Sequence, residues 1–403
     1  MLTKILTAFA LLFHISLFAQ CPIGDVSLKT QQEVDAFFVS YPTCTLISGS
    51  LTIGPLTGNS NISNLSGLTT ISHILGNVKI LNNSSLGTLM GLNNIESIGG
   101  HLEIANNNSL ISLVGLDKVK TIGTYASIVG NNSLLSVNSL NLINSIPSAL
   151  QIDNNPNLSN INGFNSLTNI GGFLRIVNND ALLNLNGFNQ IKTVGQLVQI
   201  DENASLTSMS GLNNLTSIGE YLRIVNNDAL TTLNGLNQLT SILTDVQIDE
   251  NASLSSLSAL SSLVYIGGFL RIVNNSQLSF CAAQGICQYL QNPNGVVTIY
   301  DNKTGCNSQP EVQNACVSNV SSISNNNIKI APTLANSHIN ILSTSTEIGL
   351  IQIFNLEGKL LINSTINSFN CSIDLSSLHS GIYVTKIADK TGFVLSYSRF
   401  IKY

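Results

Sequence analysis

Residues 173–196 read FLRIVNNDALLNLNGFNQIKTVGQ; the wording returns at 221–244 as YLRIVNNDALTTLNGLNQLTSILT and restarts at 269 as FLRIVNNSQLSF. Between these copies stands a sister version, LVQIDENASLTSMSGLNNLTSIGE at 197–220, with a close relative at 245–268. The period is therefore 24 residues with two versions alternating, and eight units run without insertion or deletion from Asn77 to Gly268. A fixed period of this length marks a solenoid, because one unit can bury its apolar face only against its neighbours.

Within each unit the apolar positions are the second, fourth, tenth, thirteenth, sixteenth, nineteenth and usually the twenty-second. In the copy at 173 they are Leu174, Ile176, Leu182, Leu185, Phe188, Ile191 and Val194. The second and fourth alternate with polar neighbours, as in a strand with one buried face, and the later spacing of three suits tight turns or short 3₁₀ segments. Each unit is thus expected to be one coil of a right-handed parallel solenoid opening with a short strand. With rungs about 4.8 Å apart, the nine strands from the unit at 77 to the start at 269 should make a sheet roughly 40 Å long.

The seventh position is Asn throughout: Asn83, Asn107, Asn131, Asn155, Asn179, Asn203, Asn227, Asn251 and Asn275. A side-chain amide both donates and accepts, so stacked copies are expected to form a ladder that satisfies the backbone of the bend after each strand. Glycine at the fifteenth position, as in Gly163, Gly187, Gly211 and Gly235, is expected to permit a turn with positive φ.

The chain has 403 residues, 43% hydrophobic but only 9% charged, enough apolar content for a long continuous core. Its net charge is -5 and it has no Lys/Arg cluster, which argues against nucleic acid as a partner. Residues 1–20 read as a cleaved secretory signal: Lys4, an apolar run from Ile5 to Ala19, then small residues at the expected cut. A lipidated Cys21 is the alternative, disfavoured by Gln20 before it. No later run has spanning length, so no transmembrane segment is expected in the mature chain.

The seven cysteines lie outside the eight regular units. In an exported chain this suggests disulfides in the caps, with Cys21 and Cys44 as one pair. Cys281, Cys287, Cys306 and Cys316 allow three pairings, and Cys371 is left as a buried free thiol. Thr30 and Glu33 form a capping-box pattern, after which Val34, Phe37 and Phe38 should bury one face of a short helix over the open end of the core. Behind the repeats, Ile286, Tyr289 and Leu290 suggest a second helix, stopped at Asn292-Pro293-Asn294-Gly295 and followed by a strand at 296–300.

No catalytic residue, metal site or cofactor is expected. His14, His73, His101, His338 and His379 share no ligand spacing, and no phosphate-binding loop is present. Asp201, Glu202, Asp249 and Glu250 are the densest acids. Arg175, Arg223 and Arg271 occupy the third position on alternate rungs, with Asp201 and Asp249 at the fifth position on rungs between them. One reading is a salt-bridged, exposed sheet in which each pair adds no more than about 1 kcal/mol. The other adds Phe173, Tyr221 and Phe269 at the first position, a row of aromatic and Arg groups suited to a sugar or a protein.

The pattern L-x-I-x-N-N-x-x-L-x-x-L-x-G-L-x-x-L-x-x-I-G-G resembles the leucine-rich repeat group and, with capped ends, the receptor L domain, over about 21–316. That family includes ligand-binding lobes of growth-factor receptors and many bacterial surface proteins. After a polar stretch at 317–327, alternating strands at 339–342, 350–355, 360–364 and 382–387 and at the terminal SYSRFIKY, with a turn at Glu357-Gly358-Lys359, read as a small antiparallel sandwich. IQIFNLEGKLL, IDLSSLHSGIYVTKI and the finish from Arg399 to Tyr403 resemble the type A C-terminal sorting domain of the type IX secretion system. The usual Pro-Asn-Pro is replaced by Ala331-Pro332-Thr333.

The expected organisation is a signal at 1–20, an N-terminal cap at 21–47, the solenoid at 48–280, a cysteine-containing cap at 281–316, a linker at 317–327 and the sorting domain at 328–403. The expected function is that of a secreted or surface-exposed, non-enzymatic binding protein whose partners are the type IX machinery and a glycan or protein ligand. The alternatives are a structural surface-layer component and a glycan-cleaving enzyme working through Asp201 and Asp249.

Overall fold

The structure, a computed structural model, describes residues 21–318, 328–344, 346–355, 358–391 and 394–403. The expected signal at 1–20, residues 319–327 of the expected linker, and Glu357 of the expected turn lie outside the described residues. The chain divides into two units, one ending at Gln313 and the other starting at Asn314.

Because the repeats contain no insertions, equivalent positions stack in register. Leu174, Arg175, Ile176 and Val177 pair in parallel with Val198, Gln199, Ile200 and Asp201, and the same correspondence continues rung after rung. The result is one parallel sheet of 12 strands in sequence order. It includes the nine expected strands, and Val26–Leu28, Leu51–Ile53 and Val297–Tyr300 extend it into both caps. The second and fourth positions point inward, where they meet the apolar residues of the return path: Leu174, Ile176, Leu182, Leu185, Phe188 and Ile191 are all fully buried. Truncating one such leucine to alanine costs about 2–5 kcal/mol, and the column repeats on every rung.

The return path is more ordered than a spacing of three suggests. Short 3₁₀ segments form at Ser66–Leu68, Asn162–Phe164, Asn186–Phe188 and Ser258–Leu260. Two-residue strands such as Thr193–Val194 and Ser217–Ile218 then stack into further parallel sheets of 4 and 6 strands. A proline explains why there are two such sheets rather than one. Gly99, Gly123, Gly171, Gly195 and Gly219 each donate a backbone N–H to the carbonyl of the rung before. Pro147 holds the equivalent place between Gly123 and Gly171 and has no N–H to give.

Glycine at the fifteenth position serves two purposes, which corrects the single role expected for it. Gly211 and Gly235 adopt φ of 115° and 118°. Gly163 and Gly187 sit instead inside 3₁₀ turns without positive φ, where a Cβ would collide with the carbonyl oxygens of Val137 and Ile161. The left-handed conformation recurs more regularly at the sixth position, from Asn82 to Asn274, including Glu202 at φ 56° and Glu250 at φ 57°.

At the front, Gln31–Ser40 is a helix with the complete capping box: Thr30 Oγ1 accepts the Glu33 N–H and the Glu33 carboxylate accepts the Thr30 N–H. Val34 and Phe37 are buried over the end of the core, but Phe38, expected on the same face, is exposed. A helical step of about 100° separates it from Phe37, and the buried arc is narrower than that. The rear cap carries the helix Gln284–Gln291 and, unforeseen, a further helix at Gln309–Ser318 that runs past the expected start of the linker. Disulfides join Cys21 to Cys44 and Cys281 to Cys306; Cys287 and Cys316 are also disulfide-bonded. Cys371 is a free thiol, half-buried rather than buried, and desolvation raises its pKa.

The C-terminal unit pairs a three-stranded with a five-stranded sheet around a shared core of Ile339, Ile341, Ile351, Ile353, Tyr383, Ile387 and Phe400. The expected strands are present, joined by Ile328–Ala331 and Asn370–Asp374. Pairing is antiparallel except where Leu334–Ala335 runs parallel to the last strand.

Candidate ligand-binding face

The outward side of the long sheet is set by the odd positions of each strand. At the third position Gln151, Arg175, Gln199, Arg223, Gln247 and Arg271 alternate along one line. Each Arg binds the Asp of the rung before it: Arg175 Nε to Asp153 at 2.9 Å, Arg223 Nε to Asp201 at 2.6 Å, and Arg271 Nε to Asp249 at 2.6 Å. Gln199 Nε2 donates to Asp201 at 2.6 Å, and the Val225 N–H donates to the other carboxylate oxygen at 3.1 Å. Gln247 and Val273 do the same for Asp249.

These carboxylates are not solvent-facing, and the expectation of weak exposed ion pairs is corrected here. Asp153, Asp201 and Asp249 are 2%, 3% and 2% exposed, lying under the long Arg and Gln side chains. Their charges depend on the pairs, so the Arg column has a structural duty as well as an exposed edge. Asp153 is the least well served: its Oδ1 lacks a well-aligned donor, and burial raises its pKa against the opposing pull of Gln151 and Arg175. Sequence reading had overlooked Asp153 as the partner of Arg175.

Beneath the bend that follows each strand, the seventh-position amides form a continuous column. Asn179 donates its N–H and Nδ2 to Asn203 Oδ1 at 3.2 and 3.3 Å, and its Nδ2 also reaches the Ile152 carbonyl at 2.9 Å. The pattern repeats from Asn83 through Asn107, Asn131, Asn155, Asn203, Asn227 and Asn251 to Asn275, all fully buried. The Ser60 hydroxyl closes the column at one end and Asn302 at the other.

The first position supplies the aromatic row. Phe173, Tyr221 and Phe269 stand two rungs apart, and Tyr125 continues the series, stacked on His101 with ring centroids 4.5 Å apart. Between Tyr221 and Phe269 lies a hollow of about 350 Å³, also lined by Gln199, Arg223, Asp245 and Gln247. A second, of about 370 Å³, lies between Tyr125 and Phe173 and is also lined by Glu103, Ser127, Ala149 and Gln151. The structure thus places the aromatic residues singled out in the sequence at hollows, with Arg223 lining the first. Tyr125, Asp245 and the glutamines were missed; their spacing by whole repeats was the signal that could have found them.

The first unit is a disulfide-capped parallel solenoid and the second a small antiparallel β unit. Residues 43–138 match the Receptor L domain model, and residues 329–402 match the secretion system C-terminal sorting domain. The chain thus carries a Receptor L segment and a type IX sorting tail, and the tail implies a secreted or cell-surface location. Beyond residue 138 the same register continues to Val273 without a break. Comparison with curated proteins gives no match. Among the described residues no helix is long and apolar enough to cross a membrane.

Proposed function

We infer that this is a non-enzymatic binding protein of the cell exterior, whose long sheet face holds a glycan or a protein ligand. The observation that carries this reading is the hollow between Tyr221 and Phe269, where two aromatic side chains flank amide, guanidinium and carboxylate groups. Apolar walls with a few convergent polar groups are the usual make-up of a recognition site. The carboxylates of Asp201 and Asp249 are each engaged by an Arg Nε and a backbone N–H, which supports binding over hydrolysis.

The test is binding of the full chain to a panel of glycans and surface proteins, beside Tyr221→Ala and Phe269→Ala variants. Loss of a hit in these variants, with unfolding unchanged, supports the reading. Arg variants are unsuited as the primary probe, because they leave a buried carboxylate unpaired. One observation favours a second reading, a structural surface-layer component: Arg223 spends its Nε on Asp201 and its Nη1 on Gln247. Absence of any hit across the panel would favour that role.

A further inference from the structure

The two hollows on the sheet face are the same site occurring twice. Moving back by four repeats carries Tyr221 to Tyr125, Arg223 to Ser127, Asp245 to Ala149, Gln247 to Gln151 and Phe269 to Phe173, and each of these residues lines its respective hollow. What persists through the shift is a Tyr wall, a Phe wall and a Gln amide. The charges do not persist: the later hollow has Arg223 and Asp245, the earlier one Glu103. Between Phe173 and Tyr221 the position equivalent to Asp245 and Ala149 is held by the bulkier Leu197.

A ligand common to both must use the shared groups and be indifferent to the charges that differ. A pyranose ring does so, since its C–H faces stack on aromatic rings and its hydroxyls bond to amides. Four in-register rungs place the two hollows about 19 Å apart along the sheet.

We propose that the face binds one linear, uncharged polysaccharide laid along the solenoid axis, with sugar residues seated in both hollows at once. This rests on the binding reading above and narrows its ligand. Tethering by the first hollow raises the effective concentration at the second, so affinity depends on whether the chain can reach.

The experiment is calorimetric titration of the full chain with neutral linear oligosaccharides of several linkages, from disaccharides to decasaccharides. Short members should bind weakly with two per protein. Once the oligosaccharide spans about 19 Å, stoichiometry should fall to one and affinity should step up by about 10²-fold. Phe173→Ala and Phe269→Ala should each abolish the step and leave a single site for the short members. A stoichiometry of one at every length, or a step that survives both variants, would overturn the two-site inference while leaving the binding face intact. If no oligosaccharide binds but a protein ligand is lost in Tyr221→Ala, this inference falls and the broader reading stands. If Tyr221→Ala and Phe269→Ala lose nothing that wild type binds, both fall.

Discussion

Arg223 meets Asp201 where the Asp side chain is 4% exposed and the Arg side chain 32%. Removing the cation strands the anion, so Arg223→Ala should destabilise the solenoid by about 2–3 kcal/mol, less than a fully enclosed pair because water reaches the Arg side. Urea unfolding should show this, with most of the loss recovered in an Arg223→Gln, Asp201→Asn double variant. Asp153 behaves differently with pH. Its folded pKa is raised by burial, so its charged form is disfavoured in the fold. Stability should therefore rise as pH falls through that raised value toward the ordinary carboxylate range, relative to Asp153→Asn, and be lost again on returning upward. Melting temperatures of the two proteins across acidic pH would check the sign. Both Asp and Arg were visible in the sequence. Their burial was not, because an alternating pattern assigns the fifth position outward and says nothing of the long side chains that fold over it.

The bend after each strand is the element that most constrains the fold. Asn203 is fully buried, accepts from Asn179 and donates to Asn227 and to the Ile176 carbonyl. Asn203→Ala should cost about 1–3 kcal/mol through unsatisfied backbone groups, and a change of a few tenths in urea unfolding would contradict the ladder's energetic role. One residue earlier, Glu202 adopts φ 56°, the conformation Asn takes at 178 and 226. Asn tolerates this region because its short side chain bonds locally, whereas Glu does not, so Glu202→Asn should stabilise by about 1 kcal/mol. A lower or unchanged melting temperature would refute that. The Asn column was legible because identity at a fixed period admits few physical reasons. The positive φ one place before it was obscured by Glu202, Glu250 and Gly130 among the asparagines. The return-path sheets were missed because two-residue strands carry no alternation to read.

At the scale of the whole molecule, the repeat unit and the sorting unit answer different needs. Deleting 328–403 should stop delivery to the exterior while leaving the repeats folded, so cell fractionation and surface labelling should find the shortened chain retained inside the envelope. Surface exposure of the deleted form would contradict the tail's role. Fold and destination were readable because period and tail motifs are long patterns; the hollows were not, because they arise only when residues several repeats apart come into line. Pro147 bears on how such a protein meets force. The long sheet runs unbroken past it, but the sheets on the return side stop there, so one flank of the rod is continuous and the other has a notch. Shear on a tethered rod would concentrate at that notch. Pulled in a single-molecule experiment, the solenoid should part first between the coils ending at Gly123 and Pro147, yielding two lengths that let go in separate events.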